Sequence, residues 1–187
     1  MSLTVLLVDD EPRILAALRR TLRAERYRIL TTSDPTEVLT LIEKEHVDVL
    51  ISDIDMPEMS GAELVSLVRN KFPMVVRILL TGRGSLDSAM KAINDGEVFR
   101  YLTKPWDELE LRSTIAQAAM RLEELRRVAA ADQAIVRRDQ LRAELEREHP
   151  GISTVVRVGG VYLVAEGRLV ELEVRFRDSA LGELMES

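Results

Sequence analysis

Short apolar segments alternate with amphipathic helical patterns through the first 105 residues, and this alternation constrains the fold more than any other feature. Each segment is too short for a typical helix, and the stretches between segments repeat apolar residues at helical spacing. The apolar segments are residues 3–8, 28–32, 47–52, 75–80 and 98–102. Strands that alternate with helices are joined by right-handed crossovers into a parallel sheet. We therefore expect an α/β fold, with helices on both faces of a doubly wound, five-stranded parallel sheet.

Reactive polar residues follow four of the five predicted strands. Asp9 and Asp10 follow the first strand, Asp53 the third, Thr81 the fourth and Lys104 the fifth. The carboxyl ends of parallel strands lie along one edge of a sheet, where open α/β sheets place their sites. Any one of these residues taken alone indicates only a solvated strand end. Their consistent placement predicts a single crevice with three carboxylates, a hydroxyl and an ammonium.

Three carboxylates in one crevice predict a bound cation, because like charges held close together repel one another. The chain has no Cys and only two His, His46 and His149, which excludes disulfides, a thiolate site and a multi-histidine centre. Oxygen ligands alone suit a hard ion such as Mg²⁺. A carboxylate can also attack phosphorus to form an aspartyl phosphate, while a cation, an ammonium and a hydroxyl neutralise the phosphoryl oxygens.

Four motifs occur in a fixed order: VDDEP at residues 8–12, DIDMPEMSG at 53–61, LTG at 80–82 and YLTKP at 101–105. In these motifs the chain resembles the receiver domain of bacterial two-component response regulators, from residue 1 to about residue 120. The resemblance implies a flavodoxin-like sheet with strand order 2-1-3-4-5. It also implies that Asp53 is the phosphoacceptor and that a histidine kinase or a phosphotransfer protein donates the phosphoryl group.

The same resemblance assigns roles around Asp53. Asp10 and Asp53 would bind Mg²⁺ through their carboxylates, Asp55 through its backbone carbonyl, and Asp9 through a water. Lys104 would pair with the phosphoryl group.

Two further residues of the motifs would respond to phosphorylation. Thr81 would move inward to hydrogen-bond the phosphoryl group, and Tyr101 would be the rotamer switch coupled to it. The bond between Lys104 and Pro105 is expected to be cis, although X-Pro bonds default to trans.

Asp55 and Arg83 lie two residues after Asp53 and Thr81, and both should flank the path of an attacking water. One hypothesis is that they form an acid–base pair over the phosphoryl group and tune its hydrolysis. The alternative, that both are merely solvated, is equally open.

The segments at residues 81–84 and 101–106 resemble those of receiver domains that are attached to HD-GYP phosphodiesterases or to other cyclic-dinucleotide output domains. The chain contains no His-Asp pair followed by Gly-Tyr-Pro, so no such catalytic domain is expected. We therefore expect no enzyme activity beyond self-phosphorylation and self-dephosphorylation. The net charge of −6, the absence of a long apolar span and the absence of a signal peptide predict a soluble, cytoplasmic protein without membrane or extensive nucleic-acid contacts.

The sequence changes character after Asp107, because no Gly or Pro occurs between residues 109 and 148. A single long helix is expected, with apolar residues in the 4-3-4-3-4 spacing of a coiled-coil seam from Leu111 to Ala129. The part up to Ala119 should pack on the sheet, and the remainder should contact another helix, most simply in a homodimer. The predicted organisation is a receiver domain at 1–121, a helical extension at 122–149 and a third region at 150–187.

In the third region, residues 150–187, the sequence predicts a small antiparallel β-meander followed by a short closing helix. Glycines at 159–160 and 167 are hairpin signals, and residues 169–177 alternate apolar with charged side chains. Three functions compete for everything after residue 120. It is an interaction module that signals through a downstream protein or dimerisation, a structural tail on a phosphorelay intermediate or phosphate sink, or, least favoured, a DNA-binding element with arginine pairs at 126–127 and 137–138.

Overall fold

The computed structural model describes residues 2–82 and 98–148, together with the backbone of two short strands further along the chain. One five-stranded sheet, with all neighbours parallel, has the order β2-β1-β3-β4-β5. This confirms the predicted doubly wound sheet and its strand order. The strands are β1 (Thr4–Val8), β2 (Arg28–Thr32), β3 (Val49–Asp53), β4 (Val76–Thr81) and β5 (Arg100–Thr103).

The helices connect these strands across the two faces of the sheet. They are α1 (Pro12–Thr21), α2 (Val38–Glu45), α3 (Gly61–Lys71) and a long helix (Glu108–Glu148), with a short 3-10 turn at Pro35–Glu37 before α2. The alternation of strands and helices also predicts a helix between β4 and β5, beginning at Ser85, but that segment and Arg83 lie outside the described residues.

Alternating side chains of the buried strands divide the core into two clusters, one on each face of the sheet. β1 and β3 are buried at every position, as expected for central strands covered on both sides. On one face, strand side chains pack against α2 and α3, with Leu6, Leu50, Leu79, Ile42, Leu64 and Val68 among them. On the other face they pack against α1 and the long helix, with Val5, Leu7, Ile51, Leu18, Leu111 and Ile115 among them.

Local sequence signals set the helix starts. Ser60 and Glu63 form a capping box: the Glu63 N–H donates to Ser60 Oγ at 3.2 Å, and the Ser60 N–H donates to the Glu63 carboxylate at 3.0 Å. Hydrogen bonds from Ser60 lower the pKa of Glu63. Before the long helix, the Glu110 N–H donates to Asp107 Oδ1 at 2.9 Å.

The long helix runs unbroken from Glu108 to Glu148, as predicted. Its buried side chains continue as far as Leu122, slightly beyond the expected limit at Ala119. Among the described residues, no helix has both the length and the hydrophobicity that a membrane span requires.

The chain divides into two compact units, Met1–Arg127 and Val128–Ser187. In the second unit, β6 (Val156–Val158) and β7 (Val161–Leu163) form an antiparallel pair, which agrees with the hairpin predicted around residues 159–160. The third tail strand and the closing helix lie outside the described residues, and the predicted domain boundaries stay a prediction.

Candidate functional site

The sheet register brings the ends of four strands to one edge. Val8 of β1 pairs with Ser52 of β3, so that Asp9 and Asp53 follow on neighbouring strands. β4 and β5 end together, because Thr81 pairs with Thr103. The polar residues singled out from the sequence therefore share the carboxyl edge of the sheet.

Lys104 joins two of the three carboxylates directly. Its Nζ donates to Asp9 Oδ2 at 2.7 Å and lies 2.8 Å from Asp53 Oδ1. Asp9 and Asp53 are buried, and Lys104 is partly buried above them. The pair between Lys104 and Asp9 was not foreseen from the sequence, where Lys104 was assigned only to a phosphoryl group.

Burial and charge act against each other in this crevice. Burial raises the pKa of Asp9, although hydrogen bonds from Lys104 and from the Glu11 N–H oppose that rise. Burial by itself lowers the pKa of Lys104, but hydrogen bonds to Asp53 and Asp9 outweigh it and raise that pKa. The ammonium is therefore held in its charged form between the two carboxylates.

The carboxylates of Asp9, Asp10 and Asp53 form a compact group of oxygen atoms. One oxygen from each residue lies within 4.8 Å of the other two, and this is the acidic cluster that the described part of the chain places together. Among the described residues, three carboxylates and the ammonium of Lys104 meet here, and a divalent cation would balance the excess of carboxylates. An all-oxygen donor set with this charge fits Mg²⁺.

The other predicted site residues differ in how close they come to this cluster. Thr81 is fully buried at the end of β4, and its hydroxyl donates to the Gly82 carbonyl at 2.9 Å. Tyr101 is half-buried and packs against the core cluster that includes α2 and α3. Asp55 is exposed in the loop after β3. The peptide bond between Lys104 and Pro105 is cis, as predicted.

Two neighbours of Asp53 had no predicted role. The buried Ser52 hydroxyl donates to the Asp53 carbonyl at 2.9 Å. Gly61 packs directly on the backbone of Asp53. The sequence held one signal of the contact between Gly61 and Asp53. Glycine is an unfavourable helix residue, and it stands here at the first position of α3.

A family model described as response regulator receiver domain matches residues 5–116. Among curated proteins, the chain is 38% identical over 115 residues to the hydrogenase transcriptional regulatory protein HoxA of Cupriavidus necator, covering 62% of this chain and 24% of that protein. It is 39% identical over 114 residues to the transcriptional regulatory protein GlrR of Escherichia coli, covering 61% of this chain and 26% of that protein. The chain thus spans about a quarter of the length of these curated relatives.

Among solved structures, the signal receiver domain of an HD domain-containing protein from Pseudomonas fluorescens superposes with a TM-score of 0.63 and 37% identity. The match covers 66% of this chain and 99% of that chain.

Proposed function

The chain belongs to the response regulator receiver domain family, and on that premise we propose that Asp53 accepts a phosphoryl group from the phosphohistidine of a histidine kinase or a phosphotransfer protein. One observation carries this proposal. At the carboxyl edge of the sheet, Asp9, Asp10 and Asp53 converge beside an ammonium that lies 2.8 Å from Asp53 Oδ1.

The chemistry is an in-line displacement at phosphorus. A carboxylate oxygen of Asp53 forms the new P–O bond while the P–N bond to the donor histidine breaks. The ring nitrogen keeps the electron pair of that bond, so a phosphohistidine protonated on its other ring nitrogen leaves as neutral imidazole. The acceptor oxygen of Asp53 lies 2.8 Å from the Lys104 ammonium, and a carboxylate needs no general base to act as a nucleophile. Lys104 would exchange its contact with Asp53 for a phosphoryl oxygen.

The acidic cluster would hold Mg²⁺. The carboxylates of Asp10 and Asp53 and the backbone carbonyl of Asp55 are the proposed ligands, and Asp9 would act through a water. Bound there, the ion neutralises charge on the phosphoryl oxygens. The all-oxygen donor set and its excess negative charge support this assignment.

Thr81 and Tyr101 are the proposed switch. After phosphorylation the Thr81 hydroxyl would leave the Gly82 carbonyl for a phosphoryl oxygen, and Tyr101 would turn inward. The switch is a population shift between two existing states, which the phosphoryl group favours unequally.

Asp55 and Arg83 are proposed to tune the lifetime of the phosphoryl group, by pairing across the path of the attacking water. The measurement is the phosphoryl half-life in Arg83→Ala and in wild type. A changed half-life supports the pairing, and an unchanged one means that both residues are merely solvated.

Phosphorylation of Asp53 is tested by treating the full chain with acetyl phosphate and Mg²⁺ and measuring the intact mass. We expect one added phosphoryl group in wild type and none in Asp53→Asn. Asp132→Asn, which changes an exposed carboxylate of the long helix, is the matched control and should react like wild type. Equal labelling of wild type and Asp53→Asn would contradict the assignment of the acceptor.

The signal is proposed to leave the receiver through protein–protein contact, with homodimerisation of the long helix as the simplest form. Exposed Val128, Ile135 and Val136 support a helix–helix contact. The names of the relatives support a regulator rather than a phosphate sink. Within this proposal the protein acts in the cytoplasm, as a phosphoacceptor rather than an enzyme with an external substrate.

Sedimentation velocity with and without acetyl phosphate tests the output. We expect a donor-dependent change of oligomeric state in wild type and none in Asp53→Ala. The same donor-dependent change in both proteins would contradict signalling through Asp53.

A further inference from the structure

Gly61 makes an unusually close backbone contact with the proposed phosphoacceptor. A Cβ at this position would lie 2.0 Å from the Asp53 carbonyl oxygen and 2.9 Å from both the Asp53 carbonyl carbon and Ile54 Cα. All three atoms belong to the backbone, so no side chain can rotate to make room. The φ of Gly61 is outside the left-handed region, which means that close approach, rather than conformation, requires glycine here.

Several hydrogen bonds hold the two backbones in this contact. The Gly61 N–H donates to the Ile54 carbonyl at 2.9 Å, and the Ile54 N–H donates to the Leu80 carbonyl of β4 at 3.0 Å. The buried Ser52 hydroxyl donates to the Asp53 carbonyl at 2.9 Å. The peptide that follows Asp53 is therefore fixed on one side by Gly61 and on the other by Ser52.

We propose that Gly61 and Ser52 are positioning residues, which fix the backbone of Asp53 and thereby aim its carboxylate at Lys104 and at the cation site. The proposal rests on the function proposed above for Asp53. The Asp53 carbonyl and the Asp53 side chain share one Cα, so a displacement of the carbonyl moves the carboxylate with it. The loop from Asp53 to Gly61 also contains Asp55, whose carbonyl is a proposed ligand. The contact between Gly61 and the Asp53 backbone would therefore position two proposed Mg²⁺ ligands.

The test compares Gly61→Ala with Gly82→Ala in the full chain. Gly82 is the matched control because a Cβ there would meet no atom of the described residues within 4 Å and its φ is not left-handed. Mg²⁺ affinity is measured by calorimetry, and the limiting rate of Asp53 phosphorylation is measured at saturating acetyl phosphate. In Gly61→Ala we expect Mg²⁺ to bind about tenfold more weakly, and the limiting rate to fall about a hundredfold. Gly82→Ala should bind Mg²⁺ like wild type.

Ser52→Ala keeps the proposal testable if Gly61→Ala does not fold. Removing this hydroxyl should slow phosphorylation roughly fivefold, the effect of one ordinary hydrogen bond. The proposal is overturned if Ser52→Ala reacts and binds Mg²⁺ like wild type while Gly61→Ala either does the same or fails to fold. If wild type itself is not phosphorylated on Asp53, the proposed function fails instead, and the Mg²⁺ affinities still decide whether these residues position the carboxylate.

Discussion

The two ends of the long helix have opposite surroundings, although both carry large apolar side chains. In the first unit Leu111 and Ile115 have no exposed surface, because they pack on the sheet. In the second unit Val128, Ile135 and Val136 are 61%, 50% and 55% exposed. Apolar side chains on a helix therefore indicate a surface that can be covered, and the neighbouring structure decides whether it is covered.

The charged residues of the two units differ in the same way. Lys104 pairs with Asp9, a residue far away in sequence, and both side chains lose most of their contact with water. In the described part of the second unit, the pairs Arg138–Asp139 and Arg147–Glu144 are local and exposed, with the latter at 3.7 Å. Exposed pairs of this kind contribute about 1 kcal/mol or less, because water and salt screen them. In the described residues, buried ion pairing thus occurs at the strand ends of the first unit, whereas the ion pairs of the helix after Arg127 lie at an exposed surface.

Truncating one apolar residue in each half gives the largest expected contrast. Leu111→Ala should lower the free energy of unfolding by about 2–5 kcal/mol, because it leaves a cavity against the sheet. Ile135→Ala should change it by about 0.5 kcal/mol or less under dilute, monomeric conditions, because the side chain is half exposed. Urea unfolding of the full chain measures both. A comparable loss in Ile135→Ala would mean that the extension is packed in the monomer.

Neutralising a carboxylate in each unit should give the next largest contrast. The pKa of Asp9 is raised above its ordinary value of 3.8, so at neutral pH the folded state bears the cost of a buried charge. Asp9→Asn should therefore raise the free energy of unfolding at pH 7 by about 1 kcal/mol, as often happens when a functional charge is removed. Asp132→Asn should have no measurable effect.

The pH dependence of the free energy of unfolding tests whether the buried charge of Asp9 causes this difference. Between pH 3.8 and the raised pKa of Asp9, the folded protein binds more protons than the unfolded chain, so wild-type stability falls as pH rises through this window. The advantage of Asp9→Asn should be complete above the window and shrink as pH decreases through it. An advantage that does not change between pH 7 and pH 4 would contradict burial of a charge as the cause.

The smallest expected effect concerns the end of the first unit. Arg126 Nη2 donates to Asp48 Oδ1 at 2.6 Å, and the other oxygen of Asp48 accepts from the Thr4 N–H at 2.9 Å. Arg126→Gln should cost about 0.5 kcal/mol of unfolding free energy, because the arginine is half exposed. Arg127→Gln is the control, since among the described residues Arg127 pairs with the local Glu123, one turn away at 3.6 Å. Equal effects of the two changes would mean that the contact with Asp48 adds nothing.

Much of the fold was predictable because its signals are local. The five apolar segments, the capping box at Ser60 and the absence of helix breakers after Asp107 each depend on neighbouring residues. The convergence of Asp9, Asp10 and Asp53 was predictable for another reason: once a parallel sheet is inferred, the strand ends must share an edge. The last buried residue of the long helix was harder to predict from the sequence, because it depends on where the sheet ends.

The sequence by itself determined which residues stand at the strand ends and that their oxygens suit a hard cation. Only the tertiary structure decided how those residues meet. Lys104 bridges Asp9 and Asp53, Arg126 reaches Asp48, and Gly61 presses on the backbone of Asp53. The physical reason is that periodicity and capping act within a few residues, whereas these contacts are fixed by sheet order and by the packing of helices across it.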